Sequence, residues 1–245
     1  MVRVQPLLDA LTEIWHATTT ASPLPGNQVV LGACAVALAL VAWRPAWGVV
    51  RHGITTVHEA SHAGVAVLTG RRLQGIRLHS DTSGLTLSRG RPRGFGMVAT
   101  AFAGYVGPAV VGLAAAFGLG RGYDVGVLWS LVVLATLVLL MIRNWFGLWS
   151  ILVTLILLVG VTWWGSPEVH AAAATLVVWV LLLGAPRAVV ELWSQRRGRR
   201  APGSDADVLG RLTHTPGALW VLVFLLVTLA SLAQGARWLL PTLLP

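Results

Sequence analysis

His58, Glu59 and His62 are the residues of this chain whose types and spacing predict chemistry. The two histidines are four residues apart, so on a helix both imidazoles project from one face. That spacing lets two ring nitrogens reach one zinc ion at about 2.0–2.1 Å. Glu59 follows the first histidine directly, where its carboxylate can accept a proton from an attacking water. The motif therefore predicts a zinc-dependent hydrolase in which Glu59 is the catalytic base.

The residues around this motif predict a membrane protein. Of the 245 residues, 56% are hydrophobic and 11% are charged, whereas about a quarter of the residues of a soluble domain are charged. An ionisable side chain costs on the order of 3 kcal/mol at the centre of a bilayer. Two histidines and a glutamate inside an apolar stretch are therefore expected to form a site. Mutual pairing of the three side chains without a metal is the alternative.

The apolar stretches that must position the motif approach or exceed the roughly 20 residues needed to cross a bilayer. They lie at about 28–44, 47–69, 95–119, 125–142, 146–164, 169–193 and 214–238. The first is short, and the second is interrupted by ionisable residues. We therefore predict an all-α polytopic membrane protein with six or seven transmembrane helices. Residues 1–27 form an N-terminal amphipathic, interfacial segment, and residues 28–245 form a single transmembrane metalloprotease domain.

Arginines collect in two short segments between apolar stretches, 71–94 and 194–204, and the net charge is +9. Such segments are typical of cytoplasmic loops, so a membrane surface is expected and a nucleic-acid partner is not. The predicted location is the plasma membrane, with multiple crossings, and the N-terminus is inside if the first span crosses. Arg44 and Arg51 then fall on the wrong side, which indicates that the second span is irregular or re-entrant.

Residues 71–94 also differ from the rest of the chain in their pattern of apolar and polar residues. The alternation has two sets in the first run, Leu73, Gly75, Arg77 and His79 against Gln74, Ile76 and Leu78, and in the second run Leu85 and Leu87 alternate with Thr86 and Ser88. The segment Ser80–Gly84 between these runs is rich in turn formers. This pattern predicts a small membrane-associated β-hairpin at the cytoplasmic surface, directly after the helix that carries the motif.

A third zinc ligand must be a histidine or an acid, because the only cysteine, Cys34, lies alone in an apolar stretch. Most acids are excluded by the predicted topology, since they fall in the interfacial segment, in the hairpin turn or on the far side of the membrane. Asp205, Asp207 and Glu191 remain, with His79 and His214 as outside candidates. Asp205 is the first choice and Asp207 the second, and the alternative is that Ser204 or Asp205 only caps a helix.

Several motifs together resemble the site-2 protease family of intramembrane zinc metalloproteases, and most of all a compact bacterial branch of it. They are Val57–Ala63 (VHEASHA), the predicted hairpin from Arg72 to Arg89, Gly104–Pro108 (GYVGP), Arg143–Gly147 (RNWFG) and Ser204–Asp207 (SDAD). The Leu-Asp-Gly motif that supplies the third ligand in better-known members is absent from this chain.

The resemblance implies a Zn²⁺ cofactor held by His58, His62 and Asp205, with Asp205 in the place of the missing motif. It implies that Glu59 is catalytic and that Asn144 stands for the asparagine that orients the substrate. The expected partners are the lipid bilayer and a membrane protein whose transmembrane segment is cut, in some cases to release a regulatory protein. The active site is expected to open toward the cytoplasm, and the sequence leaves the oligomeric state open.

Two other functions fit the sequence less well. A catalytically inactive member of the same fold would act as a membrane scaffold or regulatory partner, which the incomplete third-ligand motif favours. An ion or metal transporter would be expected to carry polar groups on several spans. The stretches at 125–142 and 169–190 are almost wholly apolar, which disfavours a transporter.

Overall fold

The structure is a computed structural model that describes residues 5–198 and 203–241. This part of the chain forms nine α-helices and one antiparallel pair of strands. In chain order these are α1 (Gln5–Thr19), α2 (Asn27–Ala42), α3 (Arg44–Leu68), β1 (Arg72–Leu78), β2 (Gly84–Arg89), α4 (Phe95–Leu119), α5 (Asp124–Met141), α6 (Trp145–Trp164), α7 (Pro167–Arg197), α8 (Asp205–Thr213) and α9 (Gly217–Leu239).

Five of the described helices are each long and apolar enough to cross a membrane, namely α4, α5, α6, α7 and α9. Helices α2 and α3 pass the same test only as a pair, which is bent by 102°. Counted as one broken span, the pair raises the number of crossings to six, the lower of the two numbers predicted. The predicted all-α polytopic fold with one small hairpin is confirmed.

The bend between α2 and α3 follows from the local sequence. Trp43 is extended, with φ −79° and ψ 119°, and Pro45 lies in the first turn of α3. Proline has no N–H, so Pro45 cannot donate the hydrogen bond to Val41 that would continue α2. The helix therefore ends and a new one starts in another direction. This is the irregular second span that the misplaced arginines indicated.

By length and composition, the bent pair is suited to a single crossing. The buried residues of α2 pack against the half of α7 that is remote from the hairpin, where Val30 and Ala37 meet Ala174 and Val178. Before α2, the backbone N–H of Ser22 donates to the carbonyl of Gly122, in the turn that follows α4. The segment that precedes α2 therefore lies at the end of the bundle opposite the hairpin. The first span does not cross alone, so the condition for an N-terminus on the hairpin side is not met.

Helix α3 lies in the half of the bundle that carries the hairpin, called here the hairpin half. Near the end of α7, the Arg51 Nη1 lies 3.4 Å from a carboxylate oxygen of Glu191. The Trp47 indole donates to the other oxygen of Glu191 at 2.6 Å. Arg51 is therefore at the same end as the other arginine-rich segments, and its apparent misplacement in the sequence is resolved.

The β-hairpin confirms the predicted one and is fixed on one side. Ile76 of β1 pairs with Thr86 of β2, and Leu78 pairs with Gly84. On its other edge, β1 meets the segment between α5 and α6, where the backbone N–H of Arg143 donates to the Ile76 carbonyl at 2.9 Å. In the described residues, β2 therefore provides the edge of the sheet that no further strand covers.

One predicted boundary differs in the structure. The polar loop expected at 194–204 starts later, because α7 continues to Arg197, and residues 199–202 lie outside the described part. Helix α1 falls within the predicted interfacial segment 1–27. Its position at a bilayer surface, and the cytoplasmic location of the hairpin, stay predictions.

Helices α3 and α4 approach closely because a glycine faces Ser61. A Cβ atom added at Gly107 would overlap the Ser61 side chain, whose hydroxyl donates to the Val57 carbonyl at 2.7 Å. Gly112, one turn further along α4, packs instead against Leu181 of α7. The glycines of α4 thus serve packing within the chain.

We expect Gly107→Ala to destabilise the protein, by roughly 1–3 kcal/mol, because the added methyl overpacks the contact. The double variant Ser61→Gly/Gly107→Ala should recover most of this loss. Gly64→Ala, on the same helix α3 with open space beside its Cα, is the control and should be neutral or stabilising. Thermal unfolding in mild detergent measures all three. Equal stability of Gly107→Ala and Gly64→Ala would contradict the close approach.

Candidate metal centre

His58 and His62 of α3 and Asp205 of α8 bring three ligand atoms together. The two Nε2 atoms are 3.1 Å apart. An Asp205 oxygen lies 3.3 Å from the Nε2 of His58 and 3.2 Å from that of His62. A tetrahedral zinc ion at about 2.0–2.1 Å from each ligand separates ligand atoms by about 3.3–3.4 Å. The three atoms therefore fit one zinc ion, and this is the metal-capable cluster found among the described residues.

Helix α4 orients both histidine rings. The His62 Nδ1 lies 2.6 Å from the carbonyl oxygen of Thr100. A carbonyl can only accept, so Nδ1 carries the proton and the Nε2 lone pair is directed at the cluster. The His58 ring meets Tyr105 edge to face, with ring centroids 4.8 Å apart. A Cβ atom at Gly104 would lie 2.6 Å from the His58 ring, so glycine is required there.

Asp205 reaches the histidines because α8 is a separate short helix that packs against α4. Its Ala206 and Leu209 are fully buried against α4 and α9. The Arg196 side chain, near the end of α7, donates to the Ser204 hydroxyl at 2.9 Å. In sequence, Asp205 precedes the apolar core of the last span while His58 lies within its own. The bend between α2 and α3 and the packing of α8 against α4 together bring Asp205 to the histidines.

The two other candidate acids are engaged elsewhere. Asp207 forms an ion pair with Arg196 and accepts a hydrogen bond from Ser204 at 2.9 Å. Burial raises the pKa of the Asp207 carboxyl, but the hydrogen bonds from Arg196 and Ser204 outweigh burial and lower that pKa below its ordinary value. Glu191 is paired with Arg51. Of the three acids that the sequence left open, Asp205 is the one whose carboxylate the structure brings to both histidines.

Glu59 is buried, with 4% of its surface exposed, and the hairpin holds its carboxylate. The Thr86 hydroxyl of β2 donates to Glu59 Oε2 at 2.6 Å and also lies 3.0 Å from the Glu59 carbonyl. Gly84 packs against the same side chain, where an added Cβ would lie 2.6 Å from Glu59 Cγ. Glu59, the three candidate ligands and β2 line one cavity of about 440 Å³.

Asn144 lies away from this cluster. Its Nδ2 donates to the Leu78 carbonyl at 2.6 Å, and its Oδ1 accepts from the Leu78 N–H at 3.1 Å. Asn144 therefore fixes the end of β1, and it is not among the residues that line the cavity. Both ends of its amide bind the backbone of Leu78, and its role in orienting the substrate stays a prediction.

Three contributors to the site are missed by reasoning from the sequence. Thr86 and Gly84 are visible in the sequence only as parts of a strand and a turn, so nothing links them to Glu59. Thr100 acts through its backbone carbonyl, which leaves no side-chain signal. Gly104 carries a signal only through the GYVGP resemblance.

We expect the zinc content of the protein to separate Asp205 from Asp207. Purified in mild detergent without chelators, the wild type should hold about one zinc per chain. His58→Ala, His62→Ala and Asp205→Asn should lose it, because each removes a ligand atom. Asp207→Asn should keep its zinc while losing thermal stability, because it weakens only the pairing with Arg196. Zinc retained by Asp205→Asn, or lost from Asp207→Asn, would contradict this assignment.

Comparison with known proteins agrees with this geometry. A model of the Peptidase M50B-like family matches residues 31–235, a region that contains the hairpin and every residue of the cluster. Searches among curated proteins and among solved structures found no match. The family model covers most of the chain, and the chain therefore belongs to the Peptidase M50B-like family, within the site-2 protease family.

Proposed function

We propose that this protein is an intramembrane zinc metalloprotease that hydrolyses peptide bonds of membrane-embedded substrates. The observation that carries the proposal is the convergence of His58, His62 and Asp205 on one point, beside Glu59, in a single cavity. Membership of the family supports the same conclusion. The substrates are transmembrane segments of other proteins, whose cleavage would release a regulatory protein.

The histidines and Asp205 would hold the metal, and Glu59 would transfer protons. A zinc ion at this site would polarise the scissile carbonyl and make water a stronger nucleophile near neutral pH. Glu59 accepts the proton of the attacking water and passes it to the leaving amine. Thr86 donates to one oxygen of the Glu59 carboxylate, which fixes the direction in which the other oxygen points. The Thr100 carbonyl keeps His62 in the tautomer that ligates a metal.

The substrate backbone is proposed to bind along β2. The other edge of the sheet is occupied by the segment around Ile142 and Arg143, whereas β2 lines the cavity. A peptide that adds to β2 as a further strand pairs its backbone groups during cleavage. This pairing also requires the substrate helix to unwind locally, because the carbonyls of an intact helix are already hydrogen-bonded.

The active site is proposed to open toward the cytoplasm, at the plasma membrane. The hairpin half carries the arginines of segment 71–94 together with Arg196 and Arg197 at the end of α7. Arg121, just after α4, and Arg237, in the last turn of α9, lie at the opposite end of the bundle. This asymmetry supports a cytoplasmic hairpin by the positive-inside rule. Water would then reach the cavity from that side.

We expect Glu59→Gln to abolish cleavage while leaving the zinc content unchanged, because it removes the base and no ligand atom. The assay uses synthetic single-span peptides with glycine-weakened spans, in nanodiscs, with products identified by mass spectrometry. His62→Ala, which lacks both zinc and activity, is the matched control. A zinc-loaded wild type that cleaves no peptide faster than Glu59→Gln would favour the inactive scaffold instead.

We expect Thr86→Val to lower kcat about 10-fold with little change in KM or zinc content, because the isosteric change removes only the hydrogen bond to Glu59. Thr86→Ser should restore most of the rate. Thr55→Val is the matched control, since the Thr55 hydroxyl ties α3 to the hairpin through the Thr82 carbonyl at 2.9 Å without touching Glu59. If Thr55→Val lowers kcat as much as Thr86→Val, the effect comes from hairpin docking and not from Glu59.

A further inference from the structure

Five arginines surround the open end of the hairpin without an acid to balance them. This basic cluster consists of Arg71, Arg72, Arg89, Arg91 and Arg93. Within the described residues, none of them forms an ion pair. The acid of this segment, Asp81, lies in the turn at the other end and accepts hydrogen bonds from Ser83.

Arg71 brings this charge into the catalytic cavity. It is half-buried and lines the same cavity as Glu59 and the candidate ligands. Its Nε–H donates to the Ser88 hydroxyl at 3.1 Å, and its Nη1 donates to the Arg91 carbonyl at 2.7 Å. Both acceptors are neutral, so the guanidinium is held in place without a direct ion pair.

Arg72 and Arg89 face each other directly across the two strands. Like charges in that position destabilise a hairpin. The pair lies where β2 leaves the cavity, so an anion bound there would relieve the repulsion. The positive-inside rule accounts for arginines in this loop. It does not account for a guanidinium turned into the cavity and held there.

We propose that the basic cluster is a substrate subsite for carboxylates, so that the preferred substrates carry Asp or Glu close to the cleaved bond, on the hairpin side. The inference rests on the proposed proteolytic function and on a substrate strand along β2. Thr86 touches Glu59, and Arg89 lies three residues further along the strand, about 10 Å at roughly 3.3 Å per residue. The acidic residue is therefore expected about three residues from the cleaved bond.

The test uses two synthetic single-span peptides that differ only in four border residues, Asp and Glu in one and Asn and Gln in the other. The protein is held in nanodiscs of phosphatidylcholine, where both membrane faces are accessible and no anionic lipid competes. Cleavage is measured in competition by mass spectrometry. Binding is measured separately by fluorescence anisotropy with the Glu59→Gln variant. We expect the wild type to favour the acidic peptide about 10-fold, with a preference that weakens in high salt.

Arg89→Glu is the decisive variant. It turns a like-charged cross-strand pair into an oppositely charged one, so the hairpin should not be weakened, and lost preference cannot be ascribed to unfolding. We expect it to remove the preference for the acidic peptide and to favour a third peptide with lysines at the border. Arg77→Glu is the matched control, because Arg77 is exposed on β1 nearer the turn, opposite Leu85. It makes the same change in charge and should leave the preference intact.

The two proposals fail in different ways. Equal cleavage and equal binding of the acidic and amide peptides would overturn the carboxylate subsite while leaving the protease intact. So would equal effects of Arg89→Glu and Arg77→Glu. Selective binding of the acidic peptide without cleavage would support the subsite and contradict the proteolytic function. Rates that rise equally for both peptides when phosphatidylglycerol is added, and no longer rise in Arg89→Glu, would assign the basic cluster to lipid headgroups instead.

Discussion

Helices α2 and α3 are bent against each other by 102°, and the position of every reactive group depends on that bend. A straight span would carry His58 and Glu59 along the bilayer normal, remote from a residue that precedes the last span. The bend brings both ends of α3 to the hairpin half, where Arg51 pairs with Glu191 and Thr69 packs against Gly96. The two histidines and Glu59 then line a cavity beside the hairpin, and ionisable groups near a membrane surface cost far less than at the bilayer centre.

The site also depends on two glycines of α4, which let α3 and α4 approach each other closely. The Ser61 side chain packs against Gly107, and both histidine rings pack against Gly104. The close approach is what brings the Thr100 carbonyl to within 2.6 Å of His62. Polar groups with fixed geometry in an apolar setting stabilise one arrangement strongly, because an unpaired alternative is costly. The two candidate histidine ligands are therefore oriented by the packing of two helices.

The hairpin links Glu59, the proposed catalytic base, with the surface that would receive a substrate. One strand, β1, is fastened to the segment between α5 and α6 through Asn144 and Arg143. The other strand, β2, contacts Glu59 through Thr86 and lines the cavity. The same strand that would pair with a peptide thus holds the base. Arg196 has a comparable role at the other side of the cavity, since it joins the end of α7 to the start of α8.

The sequence by itself determined the membrane class, the helical architecture, the hairpin and the His58, Glu59 and His62 motif, because composition, periodicity and four-residue spacing are local properties. It also reduced the third ligand to a few acids. Only the tertiary structure separated Asp205 from Asp207, since the choice depends on which carboxylate Arg196 engages. It likewise placed Asn144 on β1 and Thr86 on Glu59. These contacts join residues far apart in the chain, and no local pattern encodes them.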